Sequence, residues 1–184
     1  MATEQNGITY PVGPDEKSAS IMVYTANSMI LGEVVVKKII RVSTWLRTNS
    51  APDVICLYNA RNIIASAGGT PNPLSFAELH VMTNQVLAYH LLPPAQDPID
   101  YDPTEPNRRM QPITVLSGLA QIDGLIRMAS STSVGKFLEV THETYSAVYD
   151  AQIKFPAMPS LGAMKVPYIL VRQAASAFAL RAIR

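Results

Sequence analysis

The side chains of this 184-residue chain whose types and spacing could do chemistry are few. Glu78 and His80 are alternate residues of one apolar run, so an extended chain puts both on one face, where a metal ion could bridge them. A solvated strand face accounts for the pair more simply. His90 reads as a polar strand end. His142-Glu143 follows Phe137–Thr141, read as extended, where neighbours point to opposite faces. A His-x-Glu-x-x-His motif and paired Cys-x-x-Cys motifs are absent, so no structural zinc site is expected. Cys56 is the only cysteine and lies in Val54-Ile55-Cys56-Leu57. It reads as a small buried hydrophobe without a neighbouring base, in a chain suited to a reducing, cytoplasmic compartment.

Nucleophilic and phosphate-binding motifs are equally sparse. Gly-x-Ser-x-Gly does not occur. Ser130–Ser133, followed by Gly135-Lys136, lacks the phosphate-loop spacing and reads as a polar turn, as does Gly68-Gly69. Asp97, Asp100 and Asp102 lack the Gly and terminal Glu of a calcium loop and read as a flexible acidic spacer. The expectation is a non-enzymatic protein without cofactor or metal.

Lys37, Lys38 and Arg41 are the candidate nucleic-acid contacts, with Arg172, Arg181 and Arg184 as a second basic group. Yet 15 Lys and Arg stand against 14 Asp and Glu, a net charge of +1. Duplex binders draw affinity from neutralised phosphates and usually carry a basic excess, so nucleic acid is not the favoured partner. Phe178, Leu180 and Ile183 form a partly apolar C-terminus that reads as an interface with another subunit. With 48% hydrophobic and 16% charged residues, the chain is too apolar for disorder.

Short β-branched runs must position these residues. Residues 1–20 read as a tail with no basic and apolar leader. Strands are expected at Ile21–Tyr24, Met29–Val36, Val54–Tyr58, Leu74–Val81 and Gln85–Leu92. Ser43–Arg47 reads as one helical turn with Ser43 as N-cap, and Ala67–Pro73 as a loop. Residues 93–112 carry six prolines and read as a linker without regular structure. Extended runs return at Ile113–Leu116, Ile122–Met128, Phe137–Thr141, Tyr145–Ile153, Met164–Val171 and Ala174–Leu180. No run has the length of a membrane helix.

The second half repeats the order of the first. With Gly32 placed on Gly124, Ile30 meets Ile122, Val34 meets Ile126 and Trp45 meets Phe137. After small slips in loops, Tyr58-Asn59-Ala60 meets Tyr149-Asp150-Ala151, and Leu74–Leu79 lies along Met164–Ile169. This predicts a mainly β chain: a tandem pair of small β-barrel or half-sandwich units related by internal duplication, with short helical turns. The units are residues 21–92 and 113–184.

Leu57-Tyr58-Asn59-Ala60, Val148-Tyr149-Asp150-Ala151 and the closing run Leu79–Tyr89 resemble the Sm-like small β-barrel. That resemblance implies an RNA- or single-strand-binding module. The segment between Gly32 and Leu57 is longer than the Sm pattern, and the second unit lacks the Asn and Arg of an Sm RNA site. Arg41-Val42-Ser43-Thr44-Trp45-Leu46 is closer to uncharacterised bacterial proteins of unknown function with a Gly-strand, a helical turn and a strand ending Asx-Ala. The sequence thus points first to a scaffold that binds copies of itself in a ring or filament, and second to an Sm-like nucleic-acid module.

Overall fold

The computed structural model describes residues 11–47, 51–65, 73–95, 97–98 and 100–180. The first half holds β1 (Glu16–Tyr24), β2 (Ser28–Lys37), α1 (Val42–Trp45), β3 (Val54–Ile64), β4 (Pro73–Met82), a 3-10 turn at Thr83–Gln85 and β5 (Ala88–Leu91). The second holds β6 (Arg108–Ser117), β7 (Ala120–Ala129), α2 (Val134–Val140), β8 (Tyr145–Lys154), β9 (Met164–Arg172), a 3-10 turn at Gln173–Ala175 and β10 (Ser176–Ala179). A further 3-10 turn, Pro159–Leu161, links β8 to β9.

All ten strands join one antiparallel sheet in the order β10-β6-β7-β8-β9-β5-β1-β2-β3-β4. The mainly β expectation holds. The two separate small barrels do not: the sheet is open and continuous, because β5 pairs with β1 on one side and with β9 on the other.

The halves share their register. Ile21 faces Gly32 and Val23 faces Ile30 on β1 and β2; Ile113 faces Gly124 and Val115 faces Ile122 on β6 and β7. The β2–β3 ladder shifts between Leu31 and Glu33, and the β7–β8 ladder shifts between Asp123 and Leu125. Opposite each shift sits an Asx residue with left-handed backbone, Asn59 and Asp150, both at φ 48°. Short polar side chains tolerate that conformation. The strand continues past this bulge rather than ending at Asx-Ala. Its core-facing parity changes, from Ile55 and Leu57 to Ala60, and from Val148 to Ala151 and Ile153.

The paired glycines make room for the bulge. A Cβ on Gly124 would stand 2.7 Å from the Tyr149 carbonyl oxygen and 2.7 Å from Val148 Cγ1. At Gly32 the crowding is milder, 3.0 Å from Leu57 Cβ. No side chain fits at Gly124 without backbone movement.

Two cores lie on opposite faces of the central strands. Along β1, Ile21 and Val23 enter the first-half core, while Met22 and Tyr24 enter the second-half core. On β5, Tyr89 points one way and Ala88 the other. Burial on both faces explains why Ile21–Tyr24, the inner half of β1, reads as an unbroken apolar run.

Several expected boundaries move. β1 starts at Glu16, inside the expected tail, and β6 starts at Arg108, inside the expected linker. Gln85–Leu92 holds only the four-residue β5 after a 3-10 turn, and the last strand likewise shrinks to Ser176–Ala179. Phe137–Thr141 is not extended: Ser133 accepts a hydrogen bond from the Lys136 N–H at 3.2 Å and starts α2. Ser43 is not an N-cap. Arg41 holds that position, and the Ser43 N–H donates to the Asp97 carboxylate at 2.8 Å. Trp45 and Phe137 pack against their respective cores, as expected. The Ala67–Pro73 loop lies largely outside the described residues.

Candidate functional site

The seam between the halves shows how this chain joins one sheet edge to another. β5 and β9 share a short ladder, Ala88 with Val171 and Tyr89 with Leu170. Arg172, at the end of β9, organises it. Its Nε donates to the Val86 carbonyl at 2.7 Å, and its Nη2 donates to the Thr83 carbonyl at 2.5 Å and the Tyr145 hydroxyl at 2.6 Å. Tyr145 donates in turn to the Val86 carbonyl at 3.1 Å and meets Tyr89 edge-to-face with centroids 5.2 Å apart. The guanidinium also sits 4.8 Å from the Tyr145 ring centroid. These charge-assisted bonds tie the turn ahead of β5 to the end of β9. Arg172 is thus committed to this seam.

His90, on β5, is buried. Tyr24 Oη lies 2.9 Å from its Nε2, and its Nδ1 lies 2.7 Å from the Leu91 carbonyl. Nδ1–H therefore donates to the carbonyl and Nε2 accepts from Tyr24. Burial lowers the pKa of His90 to about 4 and raises that of Tyr24 further above its ordinary value. The expected polar strand end is instead an internal neutral imidazole.

The acidic segment after β5 is a strap rather than a flexible spacer. Asp97 holds the first turn of α1. Asp100 accepts from Arg47 Nη1 at 2.9 Å and from the Tyr149 hydroxyl at 2.5 Å. Arg47 also reaches Glu143 at 2.6 Å. Arg127 reaches Glu105 at 2.6 Å and the Asp102 carbonyl at 2.9 Å, and packs over Tyr101. The strap ties α1 to β8 across the halves.

Among the described residues, nothing dresses the two ends of the sheet, β4 and β10, in this way. Of the exposed large apolar side chains among the described residues, Val54, Ile64, Leu74, Phe76 and Met82 lie on β3 and β4. Leu116, Val140 and Leu180 lie on β6, on α2 and beside β10; only Val12 and Ile39 lie elsewhere. An open groove of about 580 Å³ runs beside β10, lined by Leu138, Glu143, Arg172, Gln173, Ser176 and Phe178. Phe178 faces Val115 on β6 as Tyr89 faces Val23 on β1. In the first half the corresponding surface, formed by Leu46, Val86 and Tyr89, receives Tyr145 and Leu170.

The anticipated contacts fall in separate places. Phe178 is half-buried against the second core, Leu180 is 57% exposed, and Ile183 lies outside the described residues, as do Arg181 and Arg184. Lys37, Lys38 and Arg41 are exposed around the β2–α1 turn, where Lys38 Nζ donates to the Pro14 carbonyl at 2.8 Å. Glu78 and His80 share the exposed face of β4, with Oε2 and Nε2 3.6 Å apart. Cys56, opposite His80, is a half-buried free thiol rather than a core residue. Sequence reading missed the seam residues Tyr89, Tyr145 and Arg172. The available signal was an Arg closing an apolar strand.

The architecture defines an all-β protein built on one open antiparallel sheet. No protein-family model, characterised protein or solved structure matches the chain. Among the described residues no helix is long and apolar enough to cross a membrane.

Proposed function

We propose that this protein is a non-enzymatic structural or interaction protein that associates with copies of itself head to tail, in a ring or filament. The carrying observation is the β5–β9 seam, in which the last strand of one half adds to the fourth strand of the other. Among the described residues, the same two kinds of edge stand unpaired at the ends of the sheet, as β10 and β4. Val54 faces Met82 where β3 starts and β4 ends, as Tyr145 faces Arg172 where β8 starts and β9 ends. One copy's Val54 and Met82 then enter the next copy's groove beside Phe178, and its β4 pairs with the neighbour's β10. Such a contact is heterologous, so it closes into a ring or grows into a filament.

The shared register, the matching bulges at Asn59 and Asp150 and the matching glycines support tandem duplication as the origin of the two halves. A reducing, cytoplasmic setting fits the free thiol of Cys56. Light scattering over a dilution series tests the assembly reading: mass should rise with concentration in steps of one chain. A single-chain mass at every concentration contradicts it.

The second reading is an Sm-like nucleic-acid module. The exposure of Lys37, Lys38 and Arg41 around one turn favours it. It requires salt-sensitive retention of single-stranded oligonucleotides that weakens on changing the three residues to Ala. No retention at low salt removes it.

A further inference from the structure

We infer that Cys56, Glu78 and His80 form a binding site for a thiophilic divalent cation of the zinc class on the outer face of β3 and β4. The inference rests on the β3–β4 ladder of a single chain and does not require the assembly, although the proposed head-to-tail contact would place His80 at its border, where Leu170 lies in the seam. Their ligand atoms, one thiol sulfur, one carboxylate oxygen and one imidazole nitrogen, all lie within 4.8 Å of one another.

The strand ladder produces this placement. Cys56 is the direct cross-strand partner of His80, and Tyr58 is the partner of Glu78. Residues two apart on a strand share a face, and directly opposed residues have Cβ atoms roughly 4.5–5.5 Å apart. Glu78 therefore stands beside His80 on one strand and diagonal to Cys56 on the next. The backbone fixes three donors at the corners of a small triangle.

Tetrahedral zinc needs bonds of about 2.3 Å to sulfur and about 2.0–2.2 Å to nitrogen and oxygen, which sets donor separations of roughly 3.5 Å. The pair His80 Nε2 and Glu78 Oε2 already stands at 3.6 Å. Both side chains are more than half exposed, so small rotations of their outer bonds bring them onto a shared ion. The donor set also selects the metal. Thiolate and imidazole favour zinc-class ions, whereas calcium and magnesium prefer all-oxygen shells. Three protein ligands leave the fourth position open to water or to a ligand from outside.

The second half carries nothing comparable at the matching ladder positions. Ala147 faces Leu170 where Cys56 faces His80, and Tyr149 faces Tyr168 where Tyr58 faces Glu78. These side chains pack across the seam or against the strap. The donors occur on the outer face of β3 and β4, where Glu78 and His80 are exposed in the single chain.

Titration of the full chain with Co²⁺, followed by absorption, tests the site. One cobalt ion per chain should bind with a thiolate-to-cobalt charge-transfer band in the near ultraviolet, and equimolar Zn²⁺ should bleach it. Cys56→Ser should abolish the band. His80→Ala and Glu78→Gln should each weaken binding by about 100-fold or more, since loss even of outer hydrogen-bond partners commonly costs 10–100-fold. His142→Ala should leave it unchanged. Absence of the band, or a band untouched by both His80→Ala and Glu78→Gln, overturns the site. Far-ultraviolet circular dichroism of each variant separates lost binding from lost fold, and either of the two β4 variants can decide alone.

Discussion

The seam at β5–β9 and the free edge at β4 are built from the same pair of strand positions, and they differ in their side chains. At the seam, Tyr145 and Arg172 stand opposite each other, and Arg172 satisfies the Thr83 and Val86 carbonyls. At the free edge the matching positions are Val54 and Met82, 41% and 47% exposed, which can bury area but cannot donate a hydrogen bond. The seam also has the strap from Asp97 to Glu105 drawn over it, and nothing in the described residues does this for β4. The seam is therefore a permanent joint. An edge with apolar contacts and a ladder, but without charged hydrogen bonds, makes a reversible one. Its expected Kd is roughly 1 μM or weaker, about −8 kcal/mol or less.

Removing the organiser of the seam should have the largest effect. Arg172→Ala removes three hydrogen bonds from a charged donor, to the Thr83 and Val86 carbonyls and the Tyr145 hydroxyl, a loss of about 3 kcal/mol. At roughly 2–4 °C per kcal/mol for a chain of this size, thermal unfolding should fall by about 6–12 °C. Met82→Ala, its free-edge counterpart, should move it by less than about 1 kcal/mol. Equal shifts would break the comparison.

Acid should weaken the seam through His90. Its folded pKa is about 4 against an ordinary 6.5, so the unfolded chain takes up the proton first as pH falls. This contribution is complete above about pH 6.5 and is lost as pH falls toward 4. The difference amounts to about 3 kcal/mol at most. Denaturant midpoints across this range should fall for the native chain and flatten in His90→Gln.

The strap should matter less. Asp100→Asn removes the carboxylate shared by Arg47 and Tyr149, for about 1 kcal/mol. Chemical denaturation should register it, with a smaller effect at high salt. The smallest effect on stability belongs to the open ends: Leu180→Glu should leave unfolding within about 0.5 kcal/mol while reducing association.

Much of this arrangement is written in local chemistry. The alternation of β-branched residues and the match of Gly32 with Gly124 pointed to a β chain with two like halves, and the observed registers follow that match. The prolines misled. Pro112 sits inside β6, but among the described residues β10 covers only Thr114–Ser117, so no described strand pairs with Pro112 on that side and its missing N–H costs little. Pro167 sits in β9 below the short β5 ladder for the same reason. The strap was illegible because Asp97 and Asp100 find their partners, Ser43 and Arg47, more than fifty positions away in sequence. That Glu78 and His80 share a strand face was legible from strand alternation, though the face read as solvated rather than metal-binding. Cys56 was not, because its place beside His80 depends on the β3–β4 register.

Two variants, each blocked at one end, test the central claim most directly. Val54→Lys puts a charge on the β4 end and leaves the groove intact. Leu138→Lys puts a charge in the groove beside β10 and leaves the β4 end intact. Sedimentation velocity should show each variant alone as a single chain, and their equimolar mixture as a two-chain species that grows no further. Continued self-association of either variant alone, or a mixture that stays at one chain, would contradict head-to-tail pairing of β4 with β10.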